Sequence, residues 1–138
     1  VMSWLFSGMD STVVYNHEAA SNACPAGWRL PRNDDWQNLI QYIVADLKMD
    51  TTNFRKEVDY EFYSGFESIL YAEDSYKRGE NIYGFSAGIG LDKWWTDTNC
   101  NSNYQNSYWF VQPGGLYKRC NYIDKKFAIR CIMDINNK

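Results

Sequence analysis

The side chains that could carry chemistry in this chain are few and scattered. His17 is the only histidine, so a Ser-His-Asp or Cys-His arrangement would have to run through it. It sits beside Glu18 in a stretch from Asn16 to Ala23 rich in helix formers, and it reads as an ordinary helix residue. Asp34 and Asp35 offer the carboxylates that a glycosidase would need. They are adjacent at a helix start, however, where the helix dipole already favours negative charge. The four cysteines, Cys24, Cys100, Cys120 and Cys131, contain no C-x-x-C pair, and with one histidine available the spacing of a zinc finger is missing. An even number at wide spacing reads as two disulfides formed in an oxidising compartment, with three connectivities open. These residues lead us to expect a protein that is not an enzyme and needs no cofactor or metal.

The segment Asn99 to Tyr108 is different in character: Asn-Cys-Asn-Ser-Asn-Tyr-Gln-Asn-Ser-Tyr. Asn and Ser supply adaptable hydrogen bonding, and Tyr supplies rigid contact area, which is the vocabulary of binding loops. Asn101, Asn103, Tyr104, Asn106 and Tyr108 are therefore candidate ligand contacts. Trp94, Trp95 and Trp109 read as core rather than as a binding platform.

The elements that must position these residues belong to one domain over 1–138, a length that can bury a real core. Charged residues make up 22% and aromatic residues 17%, which fits a packed, globular, β-rich chain. The net charge of -3, with no basic cluster, excludes a nucleic-acid footprint, and no apolar run is long enough to span a membrane. The chain opens on Val1 rather than Met, which reads as a processed or excised piece, and processing would account for the absence of a visible export signal. A strand is expected at Trp4 to Phe6 and a short helix from Asn16, ending before Cys24-Pro25. Trp36, Leu39, Ile40, Ile43 and Leu47 repeat at helical spacing, and Asn33 is positioned to cap that helix. Residues 50–81 read as an irregular excursion with a short helix near Phe66 to Ala72. Strands follow at Ile82 to Leu91, Lys93 to Thr98, Ser107 to Gln112, Leu116 to Cys120 and Phe127 to Met133, with Pro113-Gly114-Gly115 as a turn. Helices first and strands later predict an α+β fold with a mainly antiparallel, twisted sheet.

Four blocks of sequence carry a specific resemblance. Ala23-Cys24-Pro25-Ala26-Gly27-Trp28-Arg29-Leu30-Pro31 is followed by Asp35-Trp36 and Leu39. Then come Tyr83-Gly84-Phe85-Ser86-Ala87, Trp94-Trp95-Thr96-Asp97-Thr98 and Phe127-Ala128-Ile129-Arg130-Cys131-Ile132. In this order the chain resembles the Fibrobacter major-paralogue domain family. The chain departs from the family pattern at Arg32, where Ser or Thr is usual, and in its longer, more aromatic 50–81 segment.

The resemblance implies a variant of the C-type-lectin-like fold with two N-terminal helices, in secreted or surface-anchored bacterial proteins. It also implies the pairings Cys24–Cys131 and Cys100–Cys120. The first would contribute about 4–5 kcal/mol and the second about 3 kcal/mol on the chain-entropy account. In such folds the late-strand loops form the ligand face, which would bring Lys118, Arg119, Asn121 and Tyr122 beside the Asn101–Tyr108 candidates. Trp95-Thr96-Asp97 and Gln112-Pro113-Gly114 resemble the calcium-ligand motifs of sugar-binding lectins. Gly114 stands where the second motif needs Asp, and the two occur in reversed order, so no calcium site is expected. The expected function is an extracellular bacterial surface module that binds a carbohydrate or protein ligand. The alternative is a structural subunit or tip of an extracellular filament, coat or adhesin.

Overall fold

The computed structural model describes residues 2–4, 13–70, 93–101 and 103–134. Along them run β1 (Met2–Trp4), α1 (His17–Ser21), α2 (Asn33–Leu47), β2 (Arg55–Lys56), β3 (Glu61–Ser64) and α3 (Phe66–Leu70). They are followed by β4 (Lys93–Asn99), β5 (Gln105–Gln112), β6 (Gly115–Tyr122) and β7 (Ile132–Asp134). Five strands form an antiparallel sheet in the order β2-β3-β6-β5-β4, while β1 pairs separately with β7. The fold is therefore α+β, as expected. The strand expected at 82–91 and the Tyr83–Ala87 block lie outside the described residues.

Alternation along β4 and β5 distributes the aromatic residues between two cores, because successive strand residues point to opposite faces. One core, under α2 and α3, gathers Trp36, Ile40, Ile43, Phe66, Trp94 and Trp109. Trp36 stacks on Trp109 at 5.2 Å and on Trp94 at 5.8 Å between ring centroids. The other core gathers Trp95, Tyr108 and Phe110 with Ala20, Leu30 and Cys131. The three candidate core tryptophans are thus buried, on both faces of the sheet.

Several local expectations are corrected. Arg32, not Asn33, occupies the N-cap position of α2. Asn33 Oδ1 instead accepts hydrogen bonds from Ser107 Oγ (2.8 Å) and Trp109 Nε1 (3.1 Å), so tertiary partners on β5 have taken the capping oxygen. Asp35 replaces it by accepting from the Arg32 backbone N–H at 2.7 Å. The described part of the 50–81 excursion, up to Leu70, holds β2 and β3, and β3 pairs with β6 inside the sheet. Leu47, assigned to the apolar stripe of α2, is exposed.

Phe127 to Met133 is not one strand. Phe127 bridges Tyr15, Ala128 bridges Trp94, and only Ile132–Asp134 forms β7. This segment and Pro31, just before α2, cover the outer edge of β4: Trp95 N–H donates to Ala128 O (3.1 Å) and Ala128 N–H to Lys93 O (3.0 Å), while Asp97 N–H donates to Pro31 O (2.9 Å).

The β5–β6 turn depends on a glycine for space. A Cβ on Gly115 would lie 2.3 Å from Tyr63 O, because β3 crosses directly beside it, and φ there is +156°. Both disulfides form, Cys24–Cys131 and Cys100–Cys120, and among the described residues no cysteine is free.

Candidate binding face

The end of the β5–β6 hairpin opposite its Pro113-Gly114 turn carries the candidate site. Gln105 stands across from Tyr122 as the last pair of the ladder. Beyond it the backbone closes on itself through Ile123 N–H to Tyr104 O (3.0 Å), Cys100 N–H to Gln105 O (3.1 Å) and Lys125 N–H to Tyr122 O (3.0 Å). The Cys100–Cys120 disulfide pins the same loop to β6. Between these segments opens a groove of about 700 Å³ lined by Tyr104, Gln105, Tyr122, Ile123, Asp124 and Lys125. Tyr104 is 73% exposed and Tyr122 56%, so two large aromatic surfaces face solvent on a covalently fixed frame. The groove presents aromatic faces, an amide, a carboxylate and an ammonium group. That set can stack on and hydrogen-bond a polar ligand.

The residues expected from sequence divide around this groove. Tyr104 and Tyr122 line it. Asn101 and Asn103 are exposed on the adjoining loop, with Asn101 Nδ2 donating to Asp59 Oδ2 at 3.2 Å. Asn121 is half-buried and its Oδ1 accepts from Tyr122 N–H at 2.8 Å. Arg119 is exposed, with its guanidinium 5.0 Å from the Tyr60 ring centre.

Three of the expected residues point inward. Asn106 is fully buried and donates to Thr96 O at 2.7 Å. Tyr108 packs between Phe110 and Phe127, and burial raises its phenol above the usual range. Lys118 is buried and pairs with Glu61 at 3.3 Å. Composition marked Asn106 and Tyr108 as binding vocabulary, and the resemblance added Lys118. The strand begins at Gln105, though, and its pleat sends Asn106 and Tyr108 to one core, while Lys118 on β6 points to the other.

Gln105, Ile123, Asp124 and Lys125 escaped the sequence reading, and the usable signal was their place on either side of a disulfide-pinned hairpin. His17 has a structural contact: its Nε2 lies 3.0 Å from Thr96 O and its ring meets the edge of Trp95. Asp97 lies near the Asn99–Asn106 end of the β4–β5 pairing, while Gln112 lies at the other end, beside the turn. The two calcium-like motifs therefore do not converge. Asp59, Cys100 and Cys120 cluster closely among the described residues, but both sulfurs are in the disulfide.

Sequence reasoning also missed an ion network that ties β7 to the start of α2. Arg29 donates to Asp35 Oδ2 at 2.7 Å and to Asp134 Oδ1 at 3.0 Å. The Arg29 hydrogen bond holds the Asp134 carboxyl below the ordinary carboxylate range. A carboxylate whose folded value is depressed contributes stability that is full above its unfolded value and is lost as pH falls through the folded one. We expect Asp134→Asn to lower the neutral plateau of the melting temperature slightly, because Asp134 is exposed, and to leave the acid end unmoved, so that the acid limb flattens by that same small amount. An acid limb identical to that of the parent would show that the Arg29–Asp134 pair does not act.

The architecture and bonding now define the class: an α+β domain held by two disulfides, with an open groove at the end of its central hairpin. The chain belongs to the Fibrobacter succinogenes major domain family, a bacterial domain family that it matches over residues 9–133. Neither the curated proteins nor the solved structures provide a significant match. Among the described residues, no helix is long and apolar enough to cross a membrane.

Proposed function

We propose that this domain is an extracellular bacterial binding module of C-type-lectin-like fold, and that it takes a carbohydrate in the Tyr104–Tyr122 groove. The observation that carries the reading is the pair of exposed tyrosines flanking an open groove on a disulfide-pinned frame. Tyrosine joins a large apolar ring to a polar tip and is enriched where binding energy concentrates. Gln105, Asp124 and Lys125 supply the donors and acceptors that hydroxyl groups require. The two disulfides support an oxidising location, and the joined chain ends support the lectin-like fold.

A glycan and polysaccharide array read with calcium and again with EDTA is the direct test, and binding that survives EDTA is the expected result. Tyr104→Ala with Tyr122→Ala should weaken that binding by about 2–3 kcal/mol, roughly 30- to 150-fold, without lowering the melting temperature. Undiminished binding by the double variant would place recognition elsewhere. A silent array would move the reading to a protein ligand or to assembly into a larger surface structure.

A further inference from the structure

We propose that Glu61 and Lys118 are joined by an intramolecular side-chain amide bond that forms within the folded domain. The two residues face each other directly across β3 and β6. Glu61 is 4% exposed and Lys118 5%, and Lys118 Nζ lies 3.3 Å from Glu61 Oε2. The other carboxyl oxygen, Oε1, accepts hydrogen bonds from Gln37 Nε2 and from the Tyr63 hydroxyl. Gln37 also donates to the Tyr63 oxygen at 2.9 Å, which fixes the two donors relative to each other. Burial, followed by the Glu61 contact, raises the Tyr63 phenol far above its usual range, so it stays a donor.

Aromatic rings close the surroundings. Tyr63 meets Phe54 at 5.0 Å and Trp109 at 6.0 Å, and Trp109 stands beside Lys118 on β5. One oxygen is thus gripped by two donors while the other faces the amine. This is the arrangement that acyl chemistry needs, since preorganised donors stabilise the oxygen on which charge develops.

The step is a condensation with no change of oxidation state. A proton passes from the Lys118 ammonium to Glu61 Oε2, and the freed Nζ lone pair attacks Cδ. Negative charge gathers on Oε1, against Gln37 and Tyr63. As the carbonyl re-forms, the Cδ–Oε2 bond breaks, and Oε2 departs as water with two of the three ammonium protons. One Cδ–Nζ bond replaces one Cδ–O bond, and the nitrogen keeps one proton. Holding amine and carboxyl together confers effective concentrations of up to about 10⁵–10⁸ M. The product also removes two charges whose burial is costly even when they are paired.

Intact-mass spectrometry of the purified, oxidised chain tests the bond. The expected mass is that of the sequence with two disulfides, less one water. After reduction, a tryptic digest should yield a branched peptide joining the Glu61 and Lys118 segments, with no cleavage after Lys118. Lys118→Met should regain the missing water. Because that variant could fail to fold, the parent protein decides the matter: a full, undiminished mass, or a water loss that maps to other residues, overturns the proposal.

Discussion

Replacing Cys24 and Cys131 together by serine is expected to remove about 4–5 kcal/mol of stability. The bond spans 107 residues, whereas Cys100–Cys120 spans 20, so far more freedom is returned to the unfolded chain when it is lost. A second contribution comes from the folded side. Cys131 is fully buried among Leu30, Ile129 and Ala20, so a serine there would put a hydroxyl into an apolar core. The matched pair Cys100→Ser with Cys120→Ser should cost about 3 kcal/mol, and both its sulfurs sit in a partly exposed position. Urea unfolding of the two double variants, side by side, measures the difference. Equal midpoints would mean that loop length is not what sets the contribution of these bonds.

The second large effect is expected at Trp36. Its side chain is completely buried and stacks on two further tryptophans, Trp94 and Trp109, that belong to adjacent strands of the sheet. Trp36→Ala should therefore lose about 3–5 kcal/mol, from the deleted contacts and from the cavity that α2 cannot fill. Trp36→Phe should recover much of that, because a ring still spans the gap between helix and sheet. Near-ultraviolet circular dichroism should lose intensity in both variants, while the denaturation midpoint separates them. A midpoint for Trp36→Ala within error of the parent would show that α2 is held by other contacts.

The legible parts of this molecule are those with local causes. The spacing of Trp36, Ile40 and Ile43 writes the buried face of α2, and Ser107 to Val111 has the composition of the central strand it forms. Asn16 caps α1 with its own side chain, accepting from Ala19 N–H at 2.9 Å. The disulfide pairing was legible only through the resemblance, since spacing leaves every connectivity open.

What stayed hidden depends on distant partners. Glu61 is a poor marker of a buried strand position, and it is buried because Lys118 and Gln37 meet it from elsewhere in the chain. Asn33 looks like a cap, but Ser107 and Trp109 claim its oxygen. Of the expected ligand contacts, Tyr104 and Tyr122 were found lining the groove. Asn106 and Tyr108 were not, because amide and phenol groups serve a buried strand as readily as a loop.

The joined ends also set how the domain would respond to force. Met2 pairs with Asp134 and Trp4 with Ile132, so tension applied to the two ends opens β1 from β7 one pair at a time, the weak direction for a β ladder. Before the load reaches Cys24 and Cys131 it must also release α1 and the Tyr15–Phe127 bridge, and it then passes through the covalent bond between them. Everything from Pro25 to Arg130, including the five-stranded sheet and the groove, then lies off the line of tension. Tension between the two ends would therefore leave the loop closed by that bond folded.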